Sequence, residues 1–303
     1  MSMNILTLSW HMRPLVILFA VIAGIFYVRG WLWLRKQLPD SHALQALASP
    51  GLLSIFLASL LLLLISLVSP LDYLATQFFF LGVAQHLLLL TLIPCLFFIP
   101  NPLPFLWYGM PASWRAHLRQ QRETHHHWPE RLRRVTGKGP VLLAFVAAAW
   151  LWYDPTLHQT TLDHPWLRDL ALLSLAAAGA LYWWHITAAT PRLHQPLPRI
   201  PHIAYTAIGA LPIKISGLFF LFTEHTEYNY PTPALPWLTI TPLESFHLGG
   251  AVTWMVGGVT FTYAAVWLLS QWLDIEEKKP WQPRAAWDTP EAMLAPGINR
   301  YEV

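Results

Sequence analysis

The chain has 303 residues, 55% of them hydrophobic and only 12% charged, with a mean hydropathy of +0.40. So few charges exclude an ordinary water-soluble domain of this length. A net charge of +3 and a pI near 9.0 would suit a nucleic-acid binder, but the basic residues flank apolar stretches, so anionic lipid head groups are the expected partner and nucleic acid is not.

Seven apolar stretches read as membrane spans, at roughly 14–34, 51–68, 74–99, 140–153, 169–187, 202–223 and 244–273. A bilayer core of roughly 30 Å needs about 20 helical residues, because bare backbone polar groups cannot be hydrated there. The fourth stretch is short by that rule, so one of its ends is expected in the interface. The run LLSIFLASLLLLLISLV lacks the apolar–polar alternation of a barrel strand. The reading is therefore an all-α polytopic membrane protein with seven transmembrane helices. It divides into a transmembrane domain, 1–273, which includes a basic loop at 100–139, and a tail, 274–303. The start of the chain lacks a charged leader and a small-residue cleavage site, so the first span is expected to remain as an anchor.

Orientation follows from Lys and Arg. The 100–139 loop holds Arg115, Arg119, Arg122, Arg131, Arg133, Arg134 and Lys138. Arg35, Lys36, Arg192, Arg199, Lys278, Lys279, Arg284 and Arg300 fall on the same side, while the other side has little beyond Arg13 and Arg168. The positive-inside rule predicts an outer N-terminus and a cytoplasmic C-terminus, as seven crossings require. Within the basic loop, PASWRAHLRQQRE predicts a short amphipathic helix lying on the inner surface. The run His125, His126, His127 points in three directions on a helix and reads as solvated. Tryptophans at span ends, Trp31, Trp33, Trp183, Trp184 and Trp272, read as interfacial belts, and the single cysteine, Cys95, reads as a packed apolar residue.

Polar groups inside spans are the functional candidates, because an unpaired charge is costly there. His86, with Gln85 beside it, falls near the middle of the third span, and Lys214 midway along the sixth, two residues after Pro212. Glu244 and His247 open the seventh span and share a helix face, so they are a candidate cation pair. The same residues also read as a helix start, with Thr241 as cap and Glu244 completing a capping box. The pairs Gly249-Gly250 and Gly257-Gly258 predict close approach of a neighbouring helix. The outer side further gathers His11, Asp154, His158, Asp163, His164, Glu224, His225 and Glu227, groups that suit divalent copper, with Met12 or Met255 suiting the cuprous ion.

The segments SPLDYLATQFFFLGVAQHLLLLTLIPCLF, AWLWYDPTLHQTTLDHPWL, LYWWHI and TPLESFHLGGAVTWMVGG occur in an order that resembles the seven-span cytochrome c oxidase assembly factors of the CtaG type. The likeness runs from about His11 to Leu273, carried most specifically by Gln85-His86 before Pro94 and by Gly249-Gly250 before Trp254. It implies a multi-pass protein of the bacterial cytoplasmic membrane that helps build a copper–haem oxidase, handling copper on the outer side. The chain departs from the family pattern at Trp152-Tyr153, Ala171-Leu172, Ser245-Phe246 and Pro212-Ile213, the last followed by Lys214.

Two classes of function follow. In the first, His86, His247, Glu244 and His11 are metal ligands for copper in an assembly factor. In the second, the protein is a non-catalytic subunit or scaffold of an oxidase or another respiratory complex, its metal site lost. In that case Lys214 is expected to meet a carboxylate or carbonyl, and an ammonium close to the site would repel a second cation. No nucleophile, base and orienting group can be assembled, so an enzyme is not expected.

Overall fold

The computed structural model describes residues 10–37, 48–124, 128–191, 193–225, 228–230 and 238–277, the side chains of 122–124, 128, 129 and 131 excepted. Among these the only regular secondary structure is helix, with no strand. In chain order the helices are α1 (Pro14–Gln37), α2 (Pro50–Val68), α3 (Pro70–Leu74), α4 (Phe79–Phe98), α5 (Pro102–Gly109) and α6 (Ala112–Thr124). They continue as α7 (Trp128–Val135), α8 (Lys138–Leu151), α9 (Pro155–Asp163), α10 (Pro165–Thr187), α11 (Arg199–Phe222) and α12 (Pro242–Glu277).

Six of these, α1, α2, α4, α10, α11 and α12, are long and apolar enough to cross a membrane. A seventh is reached if α8 and α9 are one span bent by 75°. Starts are written into the sequence. Seven of the twelve described helices begin with proline, where its missing N–H costs nothing, and Ser49, Ser69, Asp154 and Thr241 cap the following turns. The Thr241–Glu244 capping box is present in full.

Two boundaries shift from the sequence reading. The predicted third span, 74–99, starts instead at Phe79, because a separate turn of helix, α3, is capped by Ser69 and ends at Leu74. The seventh runs to Glu277, so the segment expected to open the tail at 274 is still helical. The Trp- and Pro-rich remainder of the tail and His125, His126 and His127 lie outside the described residues.

Close helix crossings set the packing. A Cβ added to Gly30 of α1 would run into the carbonyl of Phe105 in α5, and one added to Gly109 of α5 would strike the carbonyl of Phe26 in α1. These two glycines let the backbones touch, and the stacked rings of Tyr27 and Phe56, with centroids 3.9 Å apart, carry the contact on to α2. On the other side of the bundle α4, α8, α10, α11 and α12 share one core, filled by Phe79, Phe145, Tyr182, Trp183 and Phe220. The glycine pairs of α12 behave as predicted: a side chain at Gly249 would meet Phe79 at 2.8 Å, and one at Gly257 would meet Ile213 at 2.7 Å.

Two helices contain a single π-helical turn, Leu88–Leu92 in α4 and Thr253–Gly257 in α12. Such turns interrupt the regular hydrogen-bond ladder and often mark functional positions. One begins two residues after His86, and the other lies across from Lys214.

Candidate functional site

At the end of the bundle where α1 begins and α2 ends, Asp72 is fully buried and surrounded by donors. The Nδ1–H of His11 donates to Oδ2 at 2.5 Å, and the Gln85 amide donates to Oδ1 at 2.7 Å. Arg168 donates to Oδ1 at 2.9 Å and to the backbone carbonyl of the same residue at 2.8 Å, and Arg13 lies 3.3 Å from Oδ1. Arg13 also donates to Leu67 O and to Asp169, which supplies the second carboxylate. Two guanidinium groups therefore face two carboxylates, and His11 adds a third donor. Burial pushes the Asp72 carboxyl upward, but Arg168, Gln85 and Arg13 together outweigh it and hold the group below the usual carboxylate range. The network ties the chain ahead of α1 to α3, α4 and α10.

Gln85 carries this order one residue inward. Its side chain donates to Ser66 O as well as to Asp72 and accepts from Arg168, so no rotation is left to it. His86 follows on α4, with its ring 5.5 Å from that of Tyr153. The His86 Nδ1 is buried and has no hydrogen-bond partner among the described residues. It borders a cavity of about 10 Å³ shared with Tyr153, Ser216 and Thr253, which has room for about one water.

Above the cavity, the break between α8 and α9 frees carbonyls that side chains then take up. His158 donates its Nδ1–H to Trp152 O at 3.0 Å, and Tyr228 donates to Tyr153 O. Because a carbonyl only accepts, the His158 Nε2 of the neutral ring accepts from the Tyr230 hydroxyl, 2.6 Å away. Burial raises the Tyr230 phenol and keeps it protonated. Phe79 stands at the centre, with Tyr228 at 5.2 Å and Phe246 at 4.4 Å between ring centroids. The result is an aromatic plug, its polar atoms paired inward, between the Asp72 network and the bundle core.

A model of the cytochrome c oxidase caa3 assembly factors (Caa3_CtaG) matches residues 25–274. The chain belongs to that family. The Caa3_CtaG match takes in α2 to α11 and α12 up to Asp274, and with them Asp72, His86 and Lys214. The chain is also similar to uncharacterized proteins of Mycobacterium leprae (strain TN), ML1998, and of Mycobacterium bovis (strain ATCC BAA-935 / AF2122/97), Mb0105. Each is 22% identical over 87% of this chain but only 39% of the relative, so the chain spans about two fifths of the length of these curated relatives. No solved structure matches it.

The residues expected to serve a Caa3_CtaG protein as ligands have different surroundings. His11 is bound to Asp72. His247 donates its Nε2–H to Thr223 O at 2.9 Å. Glu244 accepts from the backbone and hydroxyl of Thr241 at 2.8 and 2.9 Å, closing the cap. Among the described residues, no three His, Cys, Asp or Glu side chains gather where one metal ion would sit. The His86 cavity presents, among the described residues, one imidazole nitrogen and otherwise hydroxyl and apolar groups, a donor set that fits water and is too sparse for a copper site. Lys214 has no carboxylate partner among the described residues. Its Nζ lies 3.5 Å from Trp254 O and 4.1 Å from the centre of the Trp254 ring.

The sequence reading passed over the Asp72 network. The signal was present: Arg13 and Arg168 are two isolated cations at an end otherwise poor in Lys and Arg, and Asp72 is the one carboxylate between the second and third apolar runs. His158 was counted with the outer polar groups, yet it is 5% exposed and belongs to the plug.

Proposed function

We propose that this protein is an integral, seven-span factor of the bacterial cytoplasmic membrane, N-terminus outside, that assists assembly of a copper–haem cytochrome c oxidase by holding an oxidase membrane subunit rather than by storing copper itself. Family membership supports the pathway, and one observation carries the scaffold reading. Three of the four candidate ligands, His11, Glu244 and His247, each commit one ligating atom to a hydrogen bond inside the chain, and among the described residues no three such side chains converge on one point. The basic α6, with Arg115 and Arg119, would rest against anionic head groups on the cytoplasmic side.

A second reading is favoured by the buried, unpartnered Nδ1 of His86. In it, His86 is one ligand of a copper site completed by His247, Glu244 or His11 after rearrangement, or by the oxidase subunit.

One gentle detergent preparation from native membranes separates the two, read for copper and for accompanying proteins. The scaffold reading expects oxidase subunits in constant ratio with this chain, no stoichiometric copper, and an unaltered ratio in His86→Ala. Near-stoichiometric copper lost in both His86→Ala and His247→Ala would overturn it in favour of copper handling. A deletion strain with normal oxidase content would overturn both.

A further inference from the structure

Lys214 lies fifteen residues from the start of α11 at Arg199 and eight from its end at Phe222. At 1.5 Å per residue these are about 22 and 12 Å, so the residue is deep within a bilayer-spanning helix from either side. Helical side chains lean toward the helix N-terminus, so Lys214 points away from its nearer end and along the longer path. Snorkelling to water is therefore poorly served.

Its surroundings are apolar and outward-facing. Leu211, Ile215 and Leu218 on α11, and Met255 and Val259 on α12, are all exposed large side chains beside it. The chain supplies the ammonium with one long hydrogen bond to Trp254 O and one indole face, and Gly258 leaves the space that its Nζ fills. Three ammonium protons with one such acceptor are an incomplete set. A carboxylate from outside would complete it.

Among the described residues, a second copy of this chain offers no such group at mid-helix. The carboxylates of the six long helices lie near helix ends, at Asp169, Glu244, Asp274, Glu276 and Glu277, and Asp169 is held by Arg13. We propose that the Lys214 face of α11 and α12 is a docking surface for a transmembrane helix of another protein, one that carries Asp or Glu at mid-bilayer depth. This goes beyond the scaffold reading, because it fixes the surface and the contact chemistry and stands whether or not the partner is an oxidase subunit.

The test places a photoreactive benzophenone amino acid at Met255 in the full chain, in native membranes, and identifies the crosslinked peptide by mass spectrometry. The expected product is an apolar segment of a different membrane protein containing an Asp or Glu. Its yield should fall about tenfold in Lys214→Met, persist in Lys214→Arg, and return when Lys214→Glu is combined with a lysine at the partner's carboxylate. Crosslinks to lipid alone, to a second copy, or to a segment without an acid would overturn the proposal. So would an unchanged yield in Lys214→Met. The wild-type crosslink map decides the matter even if a Lys214 variant fails to fold.

Discussion

At Asp72 four donors converge on two carboxylate oxygens, and one of them, Arg168, also reaches the backbone carbonyl. Such a buried group gives little net stability relative to an apolar replacement, yet it is costly to break, because the surviving charges stay buried without compensation. Asp72→Asn should therefore destabilise the protein by about 3–5 kcal/mol, read as a lower unfolding temperature in detergent, while Asp169→Asn, whose partner Arg13 keeps Asp72 and Leu67 O, should cost much less. The direction of the pH effect follows from the depressed carboxyl. A group held below its unfolded value stabilises the fold above that value and ceases to do so as pH falls through the folded one. Stability from Asp72 is thus complete at neutral pH and drains away below about pH 4, near the ordinary carboxylate pKa. The acid-side fall in unfolding temperature should be shallower in Asp72→Asn than in the wild type, and parallel curves would refute the assignment.

Helix boundaries and crossings behave as separable parts. Thr241→Ala removes one half of the capping box that starts α12 and should cost about 1 kcal/mol, without altering the Asp72 network. Gly30→Val is of another order, because its side chain has only the Phe105 backbone to move against. It should split α1 from α5 and leave little folded protein, measured as loss of the monodisperse peak in size-exclusion chromatography. These elements were legible in different degrees. The apolar runs, the Thr241 cap, the amphipathic α6 and the glycine pairs of α12 were readable because each depends on residues near in sequence. The π-helical turn after His86 was not, since LLLTL is compatible with an ordinary helix and only packing against α10 decides otherwise. The partners of Asp72 were hidden for a similar reason, being 13, 61 and 96 residues away. Lys214 was recognisable as exceptional and expected to meet a carboxylate or a carbonyl; the Trp254 carbonyl and indole face are what the fold supplies, a choice that the residues near it in sequence do not reveal.

For the molecule as a whole, the positive-inside rule predicts that the Asp72 end faces outside, an expectation that can be checked without a structure. Cys95 is buried, so it should be silent to a membrane-impermeant maleimide. In intact spheroplasts Trp10→Cys should label and Ser113→Cys, in α6, should label only after the membrane is opened; the reverse pattern would invert the topology. The Asp72 network also has a consequence for the order in which the protein is made. Arg13 is synthesised before Asp72, so a first neutral pair is available while the early helices are entering the membrane. Arg168 comes 96 residues later, a wait of roughly 5–20 s at ordinary rates of translation. Until then Gln85 has no guanidinium to accept from, and the residue that precedes His86 is only half tethered. The nascent chain thus passes through an interval in which the polar end is neutral but open, and it closes when the ribosome has delivered α10.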